Sequence, residues 1–208
     1  MPLLRGSVSF SRFQVTSDRP AALEAARKSL WKILRTRAFE PLGKNSEEDR
    51  SVGFVELENP ESTEFSPGSL FYGEHALFSF RIDTVRLPAS ALRAEMARTD
   101  SHFEKQHGRK PSRKEKNELK LAIRQQLKNR TFPNTRVQDV SWNLKSGQLQ
   151  IWAGSRKGVE EVQAALETAL SIKLVPQVPG ALLKADEENP LLGPTAELLG
   201  VEPRELQP

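Results

Sequence analysis

A Ser-x-x-Glu pair, Ser112 and Glu115, opens the stretch that most restricts how this chain can fold. In such a capping box each side chain satisfies a free backbone donor of a helix's first turn. Neither Gly nor Pro follows until Pro133, so a helix is predicted from about Arg113 to Asn129. The surrounding segment, Glu104 to Arg130, carries ten Lys or Arg against three Glu. At +7 in a chain of net +4, it leaves the remainder near −3, so the basicity is local. At 100° per residue, Arg113, Lys116, Lys120, Arg124 and Lys128 fall within an arc of roughly 120°. Leu119, Ala122, Ile123 and Leu127 form a neighbouring apolar face. The basic stripe would be roughly 22 Å long, and a duplex offers one phosphate charge per roughly 1.7 Å of axis.

A charged helix face is ordinarily just a solvated one. Here the stretch holds too few carboxylates for i,i+4 pairing to account for its cations, which points to a polyanion partner.

The rest of the chain supplies a body for that helix. Its 208 residues suffice for a real core, and 37% hydrophobic with 28% charged residues is a soluble globular balance. There are no cysteines, which removes disulfide frameworks, thiolate metal sites and thiol nucleophiles. The N-terminus lacks the long apolar core of a secretory signal, and no run has the roughly 18 apolar residues of a membrane span.

Alternation from Val8 to Val15 predicts a strand, and Ser17 or Asp18 can cap a helix running to about Arg37 with Leu23, Ala26, Leu30, Ile33 and Leu34 inward. Lys44 to Arg50 reads as a loop, and Val52 to Leu57 as a strand. Strand material recurs at Leu70–Tyr72 and Ala76–Val85. Ser90 is the expected cap of a helix carrying Leu92, Met96 and Phe103; Gly108 and Pro111 then turn the chain into the basic helix. Two helices joined this way form an αα-hairpin. Val137–Trp142 and Gln148–Trp152 predict a β-hairpin, Lys157–Leu170 an amphipathic helix with Val159, Val162, Leu166 and Leu170 inward, and Lys173–Val175 a last strand.

The expected fold is therefore α+β: β-α-β-β and β-β-α-β halves share one mixed or antiparallel sheet with helices on one face, joined by a projecting basic hairpin. Residues 1–183 form the domain, about 88–131 the hairpin, and 184–208 a tail with six acids, two bases and four prolines.

A catalytic constellation does not emerge. His102 and His107 are five apart and do not share a helix face. Glu118-Leu-Lys120 matches the minimal E-x-K of many nucleases, but that motif needs its carboxylate on a strand beside a second acid. Glu56 and Glu58, placed on a strand with Asp83 nearby, read as an exposed sheet face. Phosphate-cradling glycine loops are absent, and Trp31, Trp142 and Trp152 read as core. No cofactor is expected.

The order of features resembles the RdgC family of recombination-associated proteins. It is carried by Phe39, Pro41 and Gly43 after the first helix, by Gly53, Phe54 and Val55, and by Leu87, Pro88 and Ser90 opening the next helix. The basic turn Arg109-Lys110 through Lys114-Glu115-Lys116, the Trp-bearing hairpin and the Leu174-Val175-Pro176 strand end complete it, over roughly residues 8 to 179. The missing catalytic constellation favours a non-enzymatic binding protein, and the resemblance implies a sequence-independent double-stranded DNA-binding protein of the bacterial nucleoid, hence cytoplasmic. It also implies a homodimeric ring around DNA and a recombinase, RecA, as partner. Members commonly continue with residues that help to close the ring, whereas this chain ends in the acidic tail.

By position in the family, Arg109, Lys110, Arg113, Lys114 and Lys116 are the implied DNA-facing residues. The stripe itself adds Lys120, Arg124 and Lys128, and the basic segment adds Lys105. Two other readings stand beside this one: an assembly module docking on an acidic protein, and a metal-dependent exonuclease.

Overall fold

The computed structural model describes residues 9–17, 20–43, 46 and 48–177. Elements follow in the order β1 (Ser11–Thr16), α1 (Pro20–Thr36), β2 (Arg50–Val55), α2 (Pro67–Leu70), β3 (Phe71–Tyr72) and β4 (His75–Thr84). The order continues with α3 (Ala89–His107), α4 (Arg113–Arg130), β5 (Asn134–Asn143), β6 (Gln148–Trp152), α5 (Arg156–Leu170) and β7 (Lys173–Pro176). The strands form one sheet in the order β2-β4-β5-β6-β1-β7, with β3 on β4, and every strand pair is antiparallel. The α+β class and the shared antiparallel sheet are as the sequence predicts.

Period-two alternation sorts the sheet's side chains into two layers. On one face Phe13, Val15, Phe54, Phe78, Phe80, Ile82, Val140, Trp142, Leu149 and Ile151 meet Leu30 and Leu34 of α1 and Val159, Val162, Leu166 and Leu170 of α5. These residues are the core. The opposite face buries polar groups in pairs: Ser79 donates to Asp139 at 2.8 Å, and Arg81 reaches both oxygens of Asp83 at 3.0 Å. Arg81 also donates to the Pro60 carbonyl and lies 4.5 Å from the Phe39 ring. Phe39 comes this close because position 53 is glycine; a Cβ there would lie 2.3 Å from the Phe39 Cα.

Several local expectations are corrected. The N-cap position of α3 is Pro88, whose carbonyl accepts from Leu92, so Ser90 sits inside the first turn and caps nothing. Leu70 belongs to α2, whose Ser66 and Ser69 form a capping box. β2 starts at Arg50, inside the expected loop, and stops at Val55. The Glu56 N–H then donates to the Ser62 carbonyl, so Glu56 and Glu58 follow the strand instead of lying on it, and Glu58 accepts from the hydroxyl of Tyr72 on β3 at 3.3 Å. Ala122 is exposed, leaving Ile123 as the buried apolar residue of α4. Val8, Asp18 and the 184–208 tail lie outside the described residues. Among the described residues no helix is long and apolar enough to cross a membrane.

One topological fact positions the site. β4 and β5 are neighbours paired over ten residues, from His75↔Asn143 to Thr84↔Asn134. Their connection is the α3–α4 hairpin, which therefore leaves the sheet from that end.

Candidate nucleic-acid interface

The two hairpin helices pack principally against each other. α3 buries no residue and α4 buries only Ile123 and Lys128. At 1.5 Å per residue, the 18 residues of α4 extend about 27 Å.

The turn between them is built by its own charges. Gly108 ends α3 in the left-handed region (φ 65°), which glycine enters without a Cβ penalty, and its N–H donates to the Glu104 carbonyl. Ser112 caps α4 by accepting from the Glu115 N–H, while the Glu115 carboxylate accepts from the Ser112 N–H at 2.8 Å. Both Glu115 oxygens also accept from the Arg109 guanidinium, at 2.7 and 2.8 Å. The Arg109 fork, then the Ser112 amide, hold the Glu115 carboxyl far below the usual range, and Glu115 raises Arg109 in return. Arg109 is thus a strut of the turn, with its guanidinium 5.4 Å from the Phe103 ring.

Three stripe residues also find partners, supplied by distant segments. Lys116 pairs with Asp100 of α3 at 3.1 Å. Arg124 pairs with Asp49, which precedes β2. Lys128 is only 6% exposed; its ammonium donates to the Ser46 carbonyl at 2.8 Å and to the Glu48 carbonyl, and lies 3.1 Å from Asp49. Lys128 consequently leaves the outward stripe and becomes the pin that holds the root of α4 to the body. The scarcity of carboxylates within the stretch was a poor guide to pairing, because Asp49 and Asp100 come from outside it or across the hairpin.

Five candidates remain exposed and, among the described residues, without an ion pair: Lys105, Lys110, Arg113, Lys114 and Lys120. They run from the end of α3 over the turn and along α4. Glu118 and Lys120 both sit exposed on α4, whereas Asp83 is buried on β4 and engaged by Arg81. Among the described residues no cluster of three or more His, Asp or Glu is arranged to hold a metal ion.

The Asp49 contacts give the hairpin root a pH dependence. The Lys128 hydrogen bond is the first cause, against an opposing effect of burial and with help from Arg124, and the Asp49 carboxyl lies below its ordinary value. The unfolded carboxyl binds its proton at higher pH than the folded one, so the stabilisation is complete above about pH 4 and fades below it. Amide protection in the last turn of α4, taken relative to the intrinsic exchange rate at each pH, should fall as the pH drops through that region, and Asp49→Asn should remove the dependence while weakening the root at neutral pH.

No curated protein matches the chain. A family model described as "Putative exonuclease, RdgC" matches residues 12–187.

Proposed function

The chain belongs to the RdgC family, and from that premise we propose that it binds double-stranded DNA without sequence preference, through phosphate contacts made by the α3–α4 hairpin. The observation that carries this reading is the set of five cations without an ion pair among the described residues, Lys105, Lys110, Arg113, Lys114 and Lys120, on an arm that contributes almost nothing to the core. Side chains that neither pack nor pair do not serve the fold, and lysine-rich surfaces gain affinity by releasing counterions from a polyanion. Such contacts position a protein on the duplex without reading bases. The proposal extends to a homodimer acting beside a recombinase, for which light scattering with and without duplex reports the stoichiometry. Gel shifts on unrelated duplexes of equal length test the main reading: equal affinities that fall steeply with salt support it, and a strong preference among sequences would remove it.

A protein-docking reading draws on Leu121, an α4 residue that is 68% exposed. It differs in outcome, because binding to an acidic protein would survive saturating competitor DNA.

The family description names an exonuclease, and the proposal is binding without hydrolysis. Linear duplex incubated with Mg²⁺ or Mn²⁺ is expected to stay intact. Degradation that vanished in Glu118→Gln or Asp83→Asn protein of unchanged fold would replace the binding reading with a catalytic one.

A further inference from the structure

A second concentration of positive charge lies at the root of the hairpin. There a cleft of about 190 Å³ is lined by Arg50, Thr84, Arg86, Asn134, Arg136 and Lys157. The four cations come from four separate parts of the chain. Arg50 opens β2 opposite Thr84; Arg86 follows β4; Arg136 lies on β5 opposite Ile82; Lys157 stands in the first turn of α5. The antiparallel register gathers them at one end of the sheet.

One carboxylate, Glu161, shares the cleft, and it is engaged by Arg50 at 3.1 Å. Arg86, Arg136 and Lys157 are exposed and have no ion pair among the described residues. Like charges converging on a concavity repel one another. None of the three packs in the core, so the fold does not require them there. An anion would relieve the repulsion. Guanidinium forks match tetrahedral phosphate oxygens, while the Thr84 hydroxyl and Asn134 amide offer neutral donors beside them.

We propose that this cleft is a phosphate-binding site, separate from the hairpin's own cations. That the phosphate is carried by DNA rests on the function proposed above: a strand laid along α4 toward its C-terminus arrives at Arg86 and Arg136, which flank the hairpin on either side. Recognition is then two-part, with exposed cations along an arm and an arginine-lined cleft at its base.

The variant that tests this is Arg86→Gln/Arg136→Gln/Lys157→Gln, with the urea midpoint confirming an unchanged fold. In the first arm, inorganic phosphate is titrated against wild-type protein at constant ionic strength while backbone amide resonances are followed. Saturable shifts at Arg136, Lys157 and Gly158, absent in the variant, are expected. Shifts that do not saturate in the wild type, or that persist in the variant, overturn the site. This arm contains no DNA, so it is read independently of whether the hairpin binds duplex. In the second arm, the slope of log affinity against log salt should be shallower in the variant by roughly 0.9, because the one phosphate held in the cleft is no longer neutralised. An equal loss on covalently closed circles assigns the cleft a backbone phosphate, and a loss confined to 5′-phosphorylated linear duplex assigns it a terminal one. An unchanged slope on both overturns DNA as the carrier.

Discussion

Replacing Arg113, Lys114 and Lys120 together with Glu is expected to lower duplex affinity by on the order of 10²–10³-fold at 0.1 M salt, because each released counterion contributes roughly tenfold there. All three side chains are exposed and unpaired among the described residues, and Glu is itself a good helix former, so the urea midpoint should hardly move. Neutral replacements by Gln should flatten the salt slope by roughly 2.7. The loss should be equal on unrelated sequences. Reversing Lys28, Lys32 and Arg35, exposed on α1, is the control and should have a far smaller effect. Equal losses from both sets would assign binding to the field of the whole protein. No loss from either would leave the hairpin merely solvated.

The second large effect is on stability, and it falls on a lysine of the same helix. Lys128→Ala is expected to destabilise the protein by about 2–4 kcal/mol, because it strips a buried ammonium from two backbone carbonyls and Asp49. For a domain of this size that lowers Tm by roughly 10 °C. The salt slope of duplex binding, measured well below the transition, should stay where it is, since a residue 6% exposed has no phosphate to meet. The two experiments separate cations that face outward from the one that faces in. A flattened slope in Lys128→Ala protein with little loss of Tm would return Lys128 to the interface.

That separation was not legible in the sequence, and the reason is physical. Helical periodicity assigns residues to faces, and it placed Lys128 beside Arg124 and Lys120 on one stripe. It carries no information about what lies across from the last turn. The partners Ser46, Glu48 and Asp49 lie about eighty residues upstream and approach only once β2 has joined β4. The same limit applies to Arg50, Arg86, Arg136 and Lys157, which share no spacing and meet only through strand register. Locally determined features were legible. The Ser112–Glu115 box started α4 at Arg113, and Gly147 closed the β5–β6 hairpin with φ 75°. Val159, Val162, Leu166 and Leu170 lay on the buried face of α5. Where the local signal was ambiguous, backbone geometry decided: Pro88, one place before the run of helix formers, supplied the first accepting carbonyl and displaced Ser90 as the cap.

The hairpin also bears on the order in which the chain assembles. β4 and β5 form the longest ladder of the sheet, yet 49 residues separate Thr84 from Asn134. Closing a flexible loop of that length carries an entropic penalty of about 3.4 kcal/mol beyond a constant. Two helices that each form on near-neighbour contacts and then fold back on one another return the chain to within a strand spacing of where it departed. The ladder can then zip from Thr84 and Asn134 much as it would from a tight turn. For the nascent chain, the hairpin is a splint that brings the central strands into register.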